Sequence, residues 1–290
     1  MLKILYSAFK HTKNLYTSII GDKVEDSLNS EFSKENWSFL KILHLISDIF
    51  FIKLPFYCPN WVPFTIKKIF FGENSTYLPT DNEYDEDGIC MVFINGIISN
   101  RQLIELNRKD LGLLFNRSIN VIHNVTDSIF TDLVESAVGK NTNELTEAST
   151  LALYTVCKKL LDKNIKKLVI ICYSQGTIIA ANVLNNLSKL GLDEKEYLEK
   201  LEFYCFANCA TKMNYIQDKL PYMEHFANEN DFVAKLGCNC NKDIEDIISI
   251  DGIKFIKMNK SGHLFNTHYI NNFKINYPES KLLKYIKEKN

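Results

Sequence analysis

Lys167-Leu168-Val169-Ile170-Ile171-Cys172-Tyr173-Ser174-Gln175-Gly176-Thr177, continuing as Ile178-Ile179-Ala180-Ala181-Asn182-Val183-Leu184, decides the fold. A run of β-branched and apolar residues stops at Tyr-Ser-Gln-Gly and resumes at once as an apolar helix. The pattern predicts a buried strand, a sharp turn and a helix, with Ser174 at the apex. That is the setting of a G-x-S-x-G turn, which lifts a serine hydroxyl above the end of a sheet. The turn is tight, so the positions two before and two after the serine must be small. Gly176 meets the second condition, and Cys172 stands where the motif has its first glycine. The same turn aims the backbone N–H of Gln175 and the helix N-terminus at whatever sits on the hydroxyl. The plain alternative is a strand ending in an ordinary Ser-Gly turn, and the flanking strand and helix weigh against it.

Working outward, strands and helices alternate. Strand patterns cover Ile89–Ile94, Ser118–His123, Leu201–Phe206, Met223–Ala227 and one or two pieces of Ile247–Met258. Helical patterns cover Arg101–Phe115, Leu145–Leu161, Thr177–Leu190, Asn214–Leu220 and Tyr277–Lys287. This alternation predicts an α/β domain, a mostly parallel sheet with helices on both faces. Residues 1–75 read as helical, with one broken apolar stretch, and residues 76–88 as a solvated acidic linker. The expected organisation is an N-terminal helical segment over 1–80, serving as cap, lid or membrane-surface contact, and a main domain over 81–290.

A serine at such an apex needs a base, an acid to orient the base, and donors for an oxyanion. In doubly wound sheets these lie at the carboxyl ends of strands. His225-Phe226-Ala227-Asn228-Glu229-Asn230-Asp231 reads as a strand running into a polar turn, which makes Asp231 the candidate acid and Glu229 its fallback. An Asx-turn or helix-cap role for Asp231 is the competing reading. Ser261-Gly262-His263-Leu264-Phe265-Asn266-Thr267-His268 follows the last strand and carries two histidines. His263 is preferred because Gly262 places it at the loop apex, and His268 is the alternative base. Upstream, Val92-Phe93-Ile94-Asn95-Gly96-Ile97 ends a strand where a second oxyanion donor belongs, at the backbone N–H of Gly96 or Ile97. Gly96 would let the backbone approach a substrate closely.

Composition narrows the classes. Of 290 residues, 46% are hydrophobic and 24% charged, and the formal net charge is −1. This is a globular balance with no basic stripe for nucleic acid. Several of the eight cysteines fall inside predicted strands or helices, which predicts free thiols in a reducing, cytoplasmic setting. Cys205, Cys209, Cys238 and Cys240 lack the spacing of a zinc module, so no metal is expected. Without a phosphate-binding glycine loop, no nucleotide or other cofactor is expected. The first ten residues lack the cleavage site of a signal peptide. Phe39–Cys58 is apolar but carries Lys41, His44, Asp48, Lys53 and Pro55, a poor membrane span.

These motifs resemble those of serine α/β-hydrolases of the lipase/esterase kind. The resemblance rests on Asn95-Gly96-Ile97, Tyr173-Ser174-Gln175-Gly176-Thr177, Asn228-Glu229-Asn230-Asp231 and Gly262-His263-Leu264-Phe265, over about residues 89–270. It is especially similar to a poorly characterised group with an Asn-Gly-Ile oxyanion strand, a Ser-Gln-Gly elbow and a phrase like Asn124-Val125-Thr126-Asp127. The departures are Cys172 for glycine and Asn95 for histidine. The resemblance implies an α/β-hydrolase fold and cleavage of a small-molecule or lipid ester through Ser174, Asp231 and His263. Acyl transfer on the same residues and a catalytically inactive binding protein are the rival expectations. Phe50–Tyr57, apolar and aromatic, suggests contact with an acyl chain or a lipid surface within residues 39–75.

Overall fold

The computed structural model describes residues 2–12, 14–21, 31, 75–96, 101–124 and 145–288. The expected lid or membrane contact over residues 39–75 lies outside them except for Ser75. Short helices α1 (Leu2–Lys10) and α2 (Leu15–Ile20) come first. Among the described residues the main sheet has seven strands: β1 (Thr76–Leu78), β2 (Ile89–Ile94), β3 (Ile119–His123), β4 (Lys167–Tyr173), β5 (Leu201–Phe206), β7 (Tyr222–Asn228) and β9 (Ile253–Lys257). Their order is β1-β3-β2-β4-β5-β7-β9, and β6 (Lys212–Met213) with β8 (Ser249–Ile250) forms a separate ribbon. Of these described strands only β1 runs antiparallel to its neighbour. Helices α3 (Arg101–Phe115), α4 (Glu147–Leu161), α5 (Gly176–Leu187), α6 (Lys195–Lys200) and α7 (Phe273–Asn276) complete the described regular structure, with short 3-10 turns and one π-turn. This is an α/β fold, a mostly parallel sheet with helices on both faces.

The central strand shows why the sheet is covered on both faces. Leu168, Ile170 and Cys172 pack with Ala152 and Val156 of α4 and Val183 and Leu184 of α5. The alternate residues Val169, Ile171 and Tyr173 pack on the opposite side with Ile104, Leu111 and Phe115 of α3 and with Phe265 and Tyr269. A strand buried on both faces must be apolar at every position, so it reads as a continuous run rather than an alternation. The chain leaves β2 toward β3 on one side and later returns through β4 on the other. The carboxyl ends of β2 and β4 therefore flank the point where the connections diverge, the place where open α/β sheets form crevices.

Four local expectations need correction. Thr76–Leu78 is an edge strand rather than linker, registered against Val121–His123. The acidic stretch after it is not simply solvated: Asp85 and Asp87 grip the buried Arg117 guanidinium at 2.6 and 2.7 Å. Asn214–Leu220 is not a helix. Asp218 and Lys219 adopt positive φ, and Asp251 captures the Tyr215 N–H at 2.9 Å, so the backbone donors go elsewhere. Tyr277–Lys287 is only a 3-10 turn over Lys281–Tyr285, because Pro278 delays it and Ser280 starts it late. Among the described residues no helix is long and apolar enough to cross a membrane.

At the amino end of the sheet Glu202 is 1% exposed. Burial alone would raise its pKa, but hydrogen bonds from the Tyr204 and Tyr285 hydroxyls and from Lys284 outweigh that and hold it down at about 2. With the folded value below the unfolded 4.5, the stabilisation is complete above 4.5 and lost as pH falls toward 2. A shift of that size corresponds to about 3 kcal/mol. Urea unfolding between pH 5 and 2 should therefore show a steep loss of stability in the wild type. Glu202→Gln should be less stable at pH 7 but flatter across that window. Equal slopes would contradict this assignment.

Candidate active site

Ser174 stands at the β4–α5 junction with φ 54°, in the left-handed region that ordinary side chains avoid. Its neighbours hold it there. The Ser174 N–H donates to the Phe206 carbonyl at 2.9 Å, and the Thr177 hydroxyl and N–H both return to the Ser174 carbonyl, at 2.6 and 2.9 Å. The glycine requirement on the helix side is steric. A Cβ on Gly176 would lie 2.4 Å from the Ile94 carbonyl oxygen and 2.7 Å from that of Asn95. A Cβ on Gly96 would lie 2.7 Å from the Ser174 Cβ. The tips of β2 and β4 thus meet with no room for side chains between them. Cys172 occupies the motif's other small position with its thiol facing away, 3.3 Å from the Cys205 sulfur in the neighbouring strand.

The structure brings Ser174 together with both preferred downstream residues. His263 Nε2 lies 3.0 Å from Ser174 Oγ, and His263 Nδ1 lies 2.9 Å from Asp231 Oδ2. Ser174, His263 and Asp231 are all buried, Asp231 completely. The Asp231 carboxylate also accepts the Val233 N–H at 2.8 Å and the Tyr269 hydroxyl at 2.6 Å. Among the described residues every partner of that carboxylate is a donor, so His263 carries its proton on Nδ1 and its Nε2 lone pair faces the serine hydroxyl. Such a line can draw the Oγ proton onto Nε2 while a fixed negative charge stabilises the imidazolium that results. Asp231 also fills the competing turn-capping role, through Val233, so the two readings describe the same carboxylate.

The fallback candidates are engaged elsewhere. Glu229 accepts the Asn259 N–H at 2.6 Å near the surface. His268 lies on the π-turn over Phe265–Ile270 and its Nδ1 accepts the Leu264 N–H at 3.0 Å. Cys205, Cys209 and Cys238 are buried, and the described residues contain no cluster of His, Cys, Asp and Glu able to hold a metal. Ile97 lies outside the described residues, as do Val125, Thr126 and Asp127.

Three features went unread in the sequence. Tyr269 donates to Asp231 while its ring packs in the core, so nothing sets it apart from any buried aromatic. Burial and the adjacent Asp231 carboxylate push its phenol well above the ordinary tyrosine range, which keeps it a donor. Tyr173 is buried too. Its ring lies 5.0 Å from the His263 ring and its hydroxyl donates to the His263 carbonyl. Asn95 does more than fill a histidine position. Its Nδ2 donates to the Gly96 and Asn124 carbonyls at 2.8 and 2.9 Å, and its Oδ1 accepts the Asn124 N–H at 2.8 Å. Asn124 Nδ2 then reaches Gln175 Oε1 at 2.6 Å. One amide network thus ties the ends of β2 and β3 to the turn after β4.

No protein-family model matches the chain, and no curated protein matches it. Among solved structures it is similar to EstE1, a thermophilic and thermostable carboxylesterase cloned from a metagenomic library. The identity is 10% and the TM-score 0.44, over 74% of this chain and 89% of that one. It is similar also to a hyperthermophilic esterase from the archaeon Pyrobaculum calidifontis, at 9% identity and TM-score 0.44, over 74% and 84% of the two chains.

Tyr269→Phe removes one hydrogen bond to a buried carboxylate and leaves the ring in place. Bonds to charged groups contribute about 2 kcal/mol, so the variant should unfold at lower temperature by roughly that free energy. An unchanged melting curve would show that the contact contributes nothing.

Proposed function

We propose that the protein is a serine hydrolase that cleaves carboxylic esters through an acyl-enzyme. The observation that supports this most is the buried hydrogen-bonded line from Asp231 through His263 to Ser174, set at a strained strand-to-helix turn. In this reading Ser174 Oγ attacks the ester carbonyl as His263 Nε2 takes its proton. The carbonyl oxygen gains the negative charge and is held by the N–H of Gln175 and by a backbone donor at Gly96 or Ile97. Each such donor contributes about 3 kcal/mol to the transition state. The tetrahedral intermediate collapses, the alcohol leaves, and His263 returns the proton to its oxygen. Water then attacks the acyl group, losing a proton to His263, and the carboxylic acid departs as Ser174 recovers its hydrogen.

Asp231 serves to hold the imidazole in one tautomer and to stabilise its charged form. The reading needs no metal or organic cofactor. The substrate class proposed is a small-molecule or lipid ester, and the apolar residues 39–75 are the segment proposed to meet an acyl chain or a lipid surface.

A p-nitrophenyl ester series of increasing chain length tests the reading. The wild type should turn over at least one member. Ser174→Ala and His263→Ala should each lose about a thousandfold or more in kcat. Turnover unaffected by Ser174→Ala would contradict the assignment, as would a folded wild type inert toward the whole series.

A further inference from the structure

The N-terminal helices lie against the two loops that carry Asp231 and His263. Ile4 and Ala8 of α1 enter an apolar cluster with Phe232, Val233, Leu236 and Ile244, and the Phe9 ring sits 4.9 Å from the Phe232 ring. Lys235 donates back to the His11 carbonyl at 2.8 Å. All but the Ile244 contact fall just after Asp231.

The tighter connection is in α2. Ser18 is 1% exposed. Its hydroxyl donates to the Asn230 carbonyl at 2.5 Å and accepts the Phe232 N–H at 2.6 Å. It therefore clamps the backbone on both sides of Asp231. The adjacent residue does the same for the base: the Ile19 carbonyl accepts the His263 N–H at 2.8 Å. Glu31 adds a third tie, accepting the Asn266 N–H at 2.5 Å and the Thr267 hydroxyl at 2.6 Å, just beyond His263.

We propose that Ser18 is a positioning residue for the Asp231–His263 pair, and that Ser18–Ile19 is a strap fixing the acid turn and the base loop relative to each other. Neither residue touches Ser174 or a reacting atom. The strap acts through Asp231 and His263, so its catalytic meaning rests on the hydrolase reading above. Its geometric meaning does not. The two loops leave neighbouring strands and are tied directly by the Asn230 N–H to the Lys260 carbonyl and by Asn228 Nδ2 to the Gly262 carbonyl, both at 2.9 Å; the strap braces the same pair from the N-terminal side, at Asp231 and His263 themselves. A displacement of about 1 Å in such a pair can cost up to a hundredfold in rate.

The test uses the full chain. In the wild type, amide hydrogen exchange at Phe232 and His263 should be slow, since each N–H is donated to the strap. Proton NMR should show a low-field signal from His263 Nδ1–H. In Ser18→Ala that signal should broaden or vanish. Fluorophosphonate labelling of Ser174 should slow by about tenfold with unchanged circular dichroism. Ser18→Thr, which keeps the hydroxyl, should restore both readouts, and Tyr6→Ala on the exposed side of α1 should match the wild type.

A folded Ser18→Ala with the wild-type signal and labelling rate would overturn the proposal. So would fast exchange of the Phe232 and His263 amides in the wild type, a result available even where the variant does not fold. Slow exchange and a low-field signal lost in Ser18→Ala, in a protein that no fluorophosphonate labels, would uphold the strap and refute the hydrolase reading.

Discussion

The burial of one carboxylate governs the carboxyl edge of this sheet. Asp231 is fully enclosed, and an enclosed charge survives only where donors surround it. A backbone N–H from its own turn, the Tyr269 hydroxyl and the His263 ring supply them. Each donor must then be held in turn. Tyr269 is fixed by core packing, and the His263 backbone is held from the Tyr173 hydroxyl and the Ile19 carbonyl. The acid turn is held by Ser18. A carboxyl group shut away from water is met by donors from its own turn and from the 263–269 segment, and the N-terminal helix braces the backbone around it.

The second constraint is steric and lies on the other side of Ser174. The β2 and β4 tips approach so closely that Gly96 and Gly176 leave no space for a Cβ. The Asn95–Asn124–Gln175 amide network keeps that approach in register. Serine is thus pinned between a rigid, glycine-lined edge and a pair of loops whose placement depends on hydrogen bonds. Distant changes should disturb the loop side more readily than the strand side.

What the sequence disclosed follows from this division. The strand–turn–helix around Ser174 is legible because a doubly buried strand leaves a continuous apolar run and the turn demands small residues. The helix over Arg101–Phe115 is legible by its period. His263 stands out from His268 through Gly262. Thr76–Leu78 is hidden because three residues in a polar stretch carry no period. The helical pattern over Asn214–Leu220 fails because Asp251, 36 residues from Tyr215, takes a backbone donor that a helix needs. Tyr269 is indistinguishable from core. Ser18 could not be read at all, since its partner Asn230 lies 212 residues away and neither residue belongs to a motif.

The central claim is that Ser174 is an activated nucleophile. The most direct measurement is the intact mass of the folded protein after exposure to a fluorophosphonate, followed by mapping of the modified peptide. The account predicts one adduct per chain, carried by the peptide containing Ser174 and absent from Ser174→Ala and His263→Ala. A folded wild-type protein with no adduct, or with its adduct on another residue, would contradict it.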